Sequence, residues 1–272
     1  MLSEPSHHGP SAGAGAADLA GERALAEPEL IAGPQAGAPA VSPRARRLAL
    51  VALLLLVPAP SVGVALAMML DSTQGTLVGQ GAYVLSKVWI LALPLLWLKL
   101  VERQPFSWSP ARKGGFGTGI ALGLAISAAI VLGYWLIGRH YIDAAMLRDA
   151  VNANGIGHPA VYIAFTFGYL SLVNALLEEY VWRWFVFRQC EKLVGGPAAV
   201  ICSALFFTIH HVLALHAQMG WVPTVLGSAG VFIGGAVWSW CYLRFRSVWP
   251  GYVSHLIVDF AVFGVGWWII FN

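Results

Sequence analysis

The sequence contains seven runs of predominantly apolar residues, each long enough to cross a lipid bilayer as a helix. A transmembrane helix needs about 20 such residues. Within hydrocarbon, only helices and closed barrels satisfy every backbone hydrogen bond. Of the 272 residues, 58% are hydrophobic and 11% are charged. We therefore predict an all-α, polytopic transmembrane bundle of about seven helices, at roughly 48–70, 80–101, 116–138, 159–187, 197–217, 222–243 and 248–271.

Two features leave the helix count open. Pro58 and Pro60 could break the first run, because proline interrupts helical hydrogen bonding. The long connection 141–158 could contain a helix that lies at the membrane interface.

Small residues spaced four apart would let neighbouring helices approach closely. These are Gly115, Gly119 and Gly123, and then Gly230 and Gly234.

Residues 1–43 are rich in Ala, Gly, Pro, Ser and Glu and show no apolar periodicity. Such a segment cannot bury enough surface to fold, so we predict a disordered tail followed by a transmembrane domain at 44–272. The basic stretch 44–47 precedes the first run, and cytoplasmic loops are enriched in Lys and Arg. We therefore expect a cytoplasmic N-terminus. The connections after the second, fourth and sixth runs agree, with Lys99, Arg103, Arg112, Lys113, Arg188, Lys192, Arg244 and Arg246.

Charge and cysteine content argue against two other classes of protein. The formal net charge is +3, and the Lys and Arg residues lie at the ends of apolar runs rather than in a patch. We therefore expect no nucleic-acid partner. Cys190, Cys202 and Cys241 lack paired spacing, which indicates neither a disulfide framework nor a CxxC metal site.

The fourth run contains three charged residues in the stretch "LLEEYVWRWF". A charge in hydrocarbon costs from about 2.5 kcal/mol upward, so these residues are candidates for function. Glu179 and Arg183 are four apart and can pair on one helix face, while Glu178 lies about 100° round the helix. One carboxylate would then be structural and the other chemical. Alternatively, the three residues form an ion network that only fixes helix packing.

Two further runs bring imidazole and carboxylate groups into the membrane. His210 and His211 are adjacent in the fifth run, and we expect only one of them to face a site. In the seventh run, His255 and Asp259 are four apart and share a face. Each signal alone could reflect helix packing, or Asp259 could merely orient His255. Together with the glutamates, they form a constellation suited to activating water by general acid–base catalysis.

These residues form three motifs in order, "EEYVWR" at 178–183, "FTIHH" at 207–211 and "HLIVD" at 255–259. The sequence thereby resembles the CPBP intramembrane proteases, which include the type II CAAX prenyl endopeptidases and bacterial Abi-type proteins. The pattern of that family is EExxxR, then FxxxH, then HxxxD or HxxxN. The resemblance covers a core at about 159–262.

The resemblance implies glutamate-dependent hydrolysis of a peptide bond without a metal or another cofactor. By position, Glu178 with His211 would activate the attacking water. Glu179 and Arg183 would shape the site or hold the helix. Both "FFTIH" and "FTIHH" satisfy FxxxH, and the preceding "SAL" favours His211, with His210 in a supporting role.

For the third motif, the resemblance implies that His255 and Asp259 stabilise the oxyanion of the tetrahedral intermediate. An ionised carboxylate only accepts hydrogen bonds and would repel an oxyanion, which complicates this role for Asp259. Burial could keep Asp259 protonated, or its carboxylate could instead orient His255.

The expected substrate is a peptide or a membrane-anchored protein in the lipid bilayer, and the expected location is a bacterial inner membrane. A prenylated CAAX substrate does not follow from the sequence. One alternative is a zinc-dependent protease, because Glu178, His211, His255 and Asp259 are all acceptable zinc ligands. Another is a non-catalytic membrane scaffold or an immunity-type protein of the same fold.

Overall fold

The computed structural model describes residues 41–272. The tail predicted for residues 1–43 therefore lies, apart from its last three positions, outside the described residues. Within 41–272 every regular element is a helix, and there is no strand. This confirms the predicted all-α class.

Eight helices make up the described chain, and seven are long and apolar enough to cross a membrane. The eighth, α4, is short and lies in the predicted connection 141–158. The predicted spans are confirmed, and most of their first and last residues agree with the structure to within a few positions. The agreement follows because long apolar runs set the positions of the helices. The helices are α1 Pro43–Met68, α2 Leu77–Glu102, α3 Phe116–His140, α4 Ala144–Ala153, α5 Pro159–Val194, α6 Gly196–His216, α7 Trp221–Phe245 and α8 Trp249–Phe271.

Helix α1 has two segments, as its prolines suggested. The first segment ends at Leu56, and the second begins at Pro58 after the single residue Val57. At the start of the helix, the side chain of Ser42 accepts a hydrogen bond from the Ala45 amide, 3.2 Å away. This cap satisfies one of the free amide groups of the first turn.

Helix α5 departs from regular α-helical geometry along much of its length. The stretches Ala164–Asn174 and Glu179–Phe187 are π-helical. Such widened turns occur frequently at functional sites. Two carbonyls in these stretches accept hydrogen bonds from other helices: Leu172 from the Tyr252 hydroxyl at 2.9 Å, and Trp182 from the Ser203 hydroxyl at 3.0 Å. These bonds attach α8 and α6 to α5.

Helices α3 and α8 run parallel and pack closely through glycine. A side chain at Gly119 would collide with the carbonyl of Pro250, and one at Gly123 would press on the backbone of Ser254. The expected close approach is thus confirmed for these two glycines. It is wrong for Gly230, which faces open space. Because the pairing proceeds in the same direction along both helices, their C-terminal ends lie together.

The largest cluster of buried side chains centres on α5. Trp182 and Phe187 are almost completely buried there, among residues from α1, α2, α6, α7 and α8. The fully buried Glu179 and Arg183 belong to the same part of α5. The helix with the most irregular backbone is therefore also the centre of the core.

Candidate active site

The side chains predicted for the site come together at one centre inside the bundle. Three helices supply them: Glu178, Glu179 and Arg183 from α5, His210 and His211 from α6, and His255 and Asp259 from α8.

Glu179 and Arg183 form an ion pair with no exposure of either side chain, and Arg183 Nη1 lies 3.2 Å from Glu179 Oε1. The guanidinium also packs over two aromatic rings, 4.5 Å from the centroid of Phe207 and 5.0 Å from that of Trp238. Cation–π contacts strengthen when they are desolvated. The guanidinium of Arg183 is therefore fully enclosed by protein.

His255 lies among three carboxylates. Its Nδ1 is 3.0 Å from Oε1 of Glu179, a hydrogen-bond distance. Its Nε2 is 3.6 Å from Oδ1 of Asp259 and 3.8 Å from Oε2 of Glu178, both too long for a hydrogen bond. The expected proximity of His255 and Asp259 is present, while the direct hydrogen bond of His255 is to Glu179.

Glu178 differs from its neighbour Glu179 in exposure and in partners. Its side chain is 12% exposed. Its Oε1 accepts a hydrogen bond of 2.9 Å from Asn174 Nδ2, one turn earlier on α5. Asn174 was missed by the sequence reasoning, although its position four residues before Glu178 is a spacing at which helical side chains meet. Glu178 is thus held in place without being enclosed.

Both histidines of α6, rather than one, lie beside Glu178. One ligand atom from each of Glu178, His210 and His211 falls within 4.8 Å of the other two. His211 Nδ1 is 2.9 Å from the Phe207 carbonyl oxygen, so Nε2 is the ring nitrogen that can contact other partners. His210 stacks on Trp182 with ring centroids 5.2 Å apart, and its buried Nδ1 has no partner among the described residues.

Helix α7 contributes to the site through Trp238, which the sequence analysis did not single out. Its ring stacks on the imidazole of His255, with centroids 3.8 Å apart and planes 14° apart. Its Nε1 donates to Ser254 Oγ at 3.2 Å. Nothing in the sequence distinguishes this residue among the 12 tryptophans of the chain. The ring fixes the orientation of His255 and also supports Arg183.

The cluster of Glu178, His210 and His211 has the chemistry of a possible zinc site. Imidazole nitrogens and carboxylate oxygens are ordinary zinc ligands, and catalytic zinc has three protein ligands plus water. The set differs from the one considered from sequence, because His210 is included while His255 is hydrogen-bonded to Glu179. The donor set fits the metal, although ring rotations would be needed to bring the three atoms closer.

The fold and the site together define an integral membrane protein with a buried acid–base centre. A family model described as type II CAAX prenyl endopeptidase Rce1-like matches residues 160–261. The match covers 102 of the 272 residues and confirms the resemblance of this segment to the CPBP/CAAX protease family seen in its motifs. Comparison with curated proteins and with solved structures gave no match. The family is one of CAAX-type intramembrane proteases, and the matched segment includes all three motifs.

Proposed function

We propose that the protein is an intramembrane endopeptidase in which Glu178, assisted by His211, activates the attacking water. The observation that carries the proposal is the contrast between adjacent carboxylates. Glu179 is enclosed and engaged by Arg183 and His255, whereas Glu178 is partly exposed and oriented by Asn174. A general base needs both a fixed position and access to the water it deprotonates.

In the proposed reaction, the water oxygen adds to the carbonyl carbon of the peptide bond while one proton passes to Glu178. The carbonyl oxygen becomes the oxyanion of a tetrahedral intermediate. As that intermediate collapses, the carbon–nitrogen bond breaks and the leaving amine takes up the proton held by Glu178, directly or through His211. The products are a carboxylic acid and an amine, so the atoms of one water molecule are consumed.

His255 is the proposed donor to the oxyanion. Because its Nδ1 is turned to Glu179, it can donate a second hydrogen bond from Nε2 only as an imidazolium. The carboxylates of Glu178, Glu179 and Asp259 around the ring complement that positive charge. A donor held rigidly in a water-poor site stabilises a developing oxyanion more than water would. Asp259 then acts through His255 rather than on the oxyanion itself.

The proposed substrate is a peptide or a membrane-anchored protein that enters from the bilayer. The proposed setting is a bacterial inner membrane, with the N-terminus in the cytoplasm. Basic residues at the ends of α2, α5 and α7 support this orientation. The proposed mechanism uses only the side chains of the site and requires no prenyl group on the substrate.

The experiment that tests the proposal is a comparison of protein termini in membranes containing wild type or Glu178→Gln. This substitution removes the base and keeps the size of the side chain. The matched control is Glu191→Gln, the same change on the same helix at an exposed ion pair. We expect specific new termini with wild type and with Glu191→Gln, and their loss with Glu178→Gln.

Equal amounts of folded protein in all three membranes are needed for this comparison. Identical termini in the three samples would contradict the proposal and would favour a non-catalytic scaffold or an immunity-type protein. A loss of termini in the control as well would show that the effect does not depend on Glu178.

The cluster of Glu178, His210 and His211 favours a second candidate, a zinc-dependent protease using the same fold. The variant His210→Phe keeps an aromatic ring against Trp182 but removes both ring nitrogens. A zinc enzyme would lose bound zinc and activity in this variant, and a chelator would inhibit wild type until zinc was restored. Without a zinc requirement, wild type would resist the chelator and His210→Phe would retain activity.

A further inference from the structure

Two arginines line one cavity where the C-terminal ends of α3 and α8 lie side by side. The cavity has a volume of about 230 Å³, and its lining includes Tyr134 and Arg139 of α3, Arg148 of α4 and Trp268 of α8. Along α8, Trp268 lies about 20 Å from His255 at the usual helical rise of about 1.5 Å per residue. The cavity is therefore separate from the candidate active site.

The contacts of the two arginines leave donors free. Arg148 caps the end of α8, donating from Nε to the Ile270 carbonyl at 2.8 Å and from Nη2 to the Ile269 carbonyl at 3.1 Å. Arg139 lies over the ring of Trp135 at 5.9 Å. Neither forms a salt bridge with a carboxylate in the described part of the chain. Nη1 of Arg148 and both Nη atoms of Arg139 therefore remain available.

Two guanidinium groups on one cavity repel each other unless an anion lies between them. The planar fork of arginine matches the geometry of phosphate oxygens and binds them through charge-assisted hydrogen bonds. Tyr134 and Trp268 are residues of the types enriched where spans meet the lipid headgroups. Charge and position together suit a phosphate at headgroup depth.

A second cavity adjoins the first and is lined by apolar and aromatic residues. It measures about 270 Å³, lies between α3 and α8, and shares Tyr134 and Trp268 with the arginine cavity. Its lining continues along both helices toward the bilayer interior, to Val131 and Phe260. Gly264 forms part of this groove and has no other atom within 4 Å of the position of a side chain. The groove can accommodate a hydrocarbon chain.

We propose that these adjoining cavities form a binding site for an anionic membrane phospholipid. Its phosphodiester lies between Arg139 and Arg148, and one acyl chain occupies the groove between α3 and α8. The apolar continuation of the arginine cavity favours a lipid over free phosphate, which would use only the polar part. A bound lipid would join α4 to the ends of α3 and α8.

Native mass spectrometry of the purified full chain, titrated with phosphatidylglycerol, tests this site. Arg139→Gln is the informative variant, because Arg139 makes no hydrogen bond to another helix, whereas Arg148 holds the end of α8. Losing a charge-assisted hydrogen bond should weaken binding by about tenfold or more. The matched control is Arg244→Gln, which removes another arginine that lies over an aromatic ring, and it should bind like wild type.

A groove variant separates lipid from free phosphate. Gly264→Leu should weaken binding of phosphatidylglycerol and leave binding of glycerol phosphate unchanged. Each variant should keep the melting temperature of lipid-free wild type, so that weaker binding does not reflect unfolding. Equal affinity of wild type and Arg139→Gln for phosphatidylglycerol would overturn the proposal that this cavity binds the lipid phosphate. Glycerol phosphate binding as tightly as phosphatidylglycerol would overturn the assignment to lipid.

Discussion

Two glutamates of helix α5 pair with arginines in opposite surroundings. Glu179 and Arg183 are completely buried, with 3.2 Å between the paired atoms. Glu191, near the end of α5, pairs with Arg246, the residue after α7. Their side chains are 27% and 46% exposed, and they form two hydrogen bonds of 2.7 Å each. The outer pair has the better geometry. The inner pair is nevertheless expected to matter more, because breaking it leaves an unpaired charge without water.

The comparison shows how one type of interaction serves two purposes. Glu179 is bonded to His255 as well as to Arg183, and Arg183 rests on Phe207 and Trp238. A change in the inner pair therefore reaches residues from α6, α7 and α8. The outer pair joins the end of α5 to the residue that follows α7 and touches none of the site residues. Its role is local.

The largest expected effect is the loss of stability in Arg183→Met. This variant leaves the carboxylate of Glu179 buried without its cation, which should lower the free energy of unfolding by about 3–5 kcal/mol. Reversible unfolding in detergent, followed by circular dichroism, measures the change.

A double variant sharpens this prediction. Adding Glu179→Gln to Arg183→Met removes the orphaned charge and should restore part of the lost stability, because the two residues are energetically coupled. A single variant as stable as wild type would contradict the importance assigned to the inner pair. An additive loss in the double variant would contradict the coupling.

A smaller effect is expected from Asn174→Ala, which removes the donor to Glu178. Hydrogen bonds to charged groups contribute about 1.5–3 kcal/mol, so kcat should fall roughly 10- to 100-fold while KM changes little. The measurement is cleavage of a substrate identified from the protein termini. Asn154→Ala is a suitable control, because the Asn154 amide likewise donates to an oxygen four residues away, the Ala150 carbonyl, but lies at the end of α4. Unchanged kcat in Asn174→Ala would remove it as a positioning residue.

The sequence predicted the spans well because an apolar run of bilayer length leaves a chain few alternatives. It also predicted the contact of Glu179 with Arg183, which depends only on their spacing along one helix. Trp238 stacking on His255 could not be predicted, since it depends on how α7 packs against α8. The expectation that only one histidine of α6 faces the site differs from the structure for a similar reason, since both lie beside Glu178. Side-chain direction beside a π-helical neighbour does not follow from regular helical spacing.

The smallest expected effect is that of Glu191→Gln on stability. Exposed ion pairs contribute about 0–1 kcal/mol, because water solvates each charge when the pair breaks. The bidentate geometry places this pair toward the upper part of that range. Unfolding in high salt should reduce the difference between wild type and variant further, since salt screens exposed charges. If Glu191→Gln destabilised the protein as much as Arg183→Met, burial would not be what separates the two pairs, and the end of α5 would have to be regarded as part of the core.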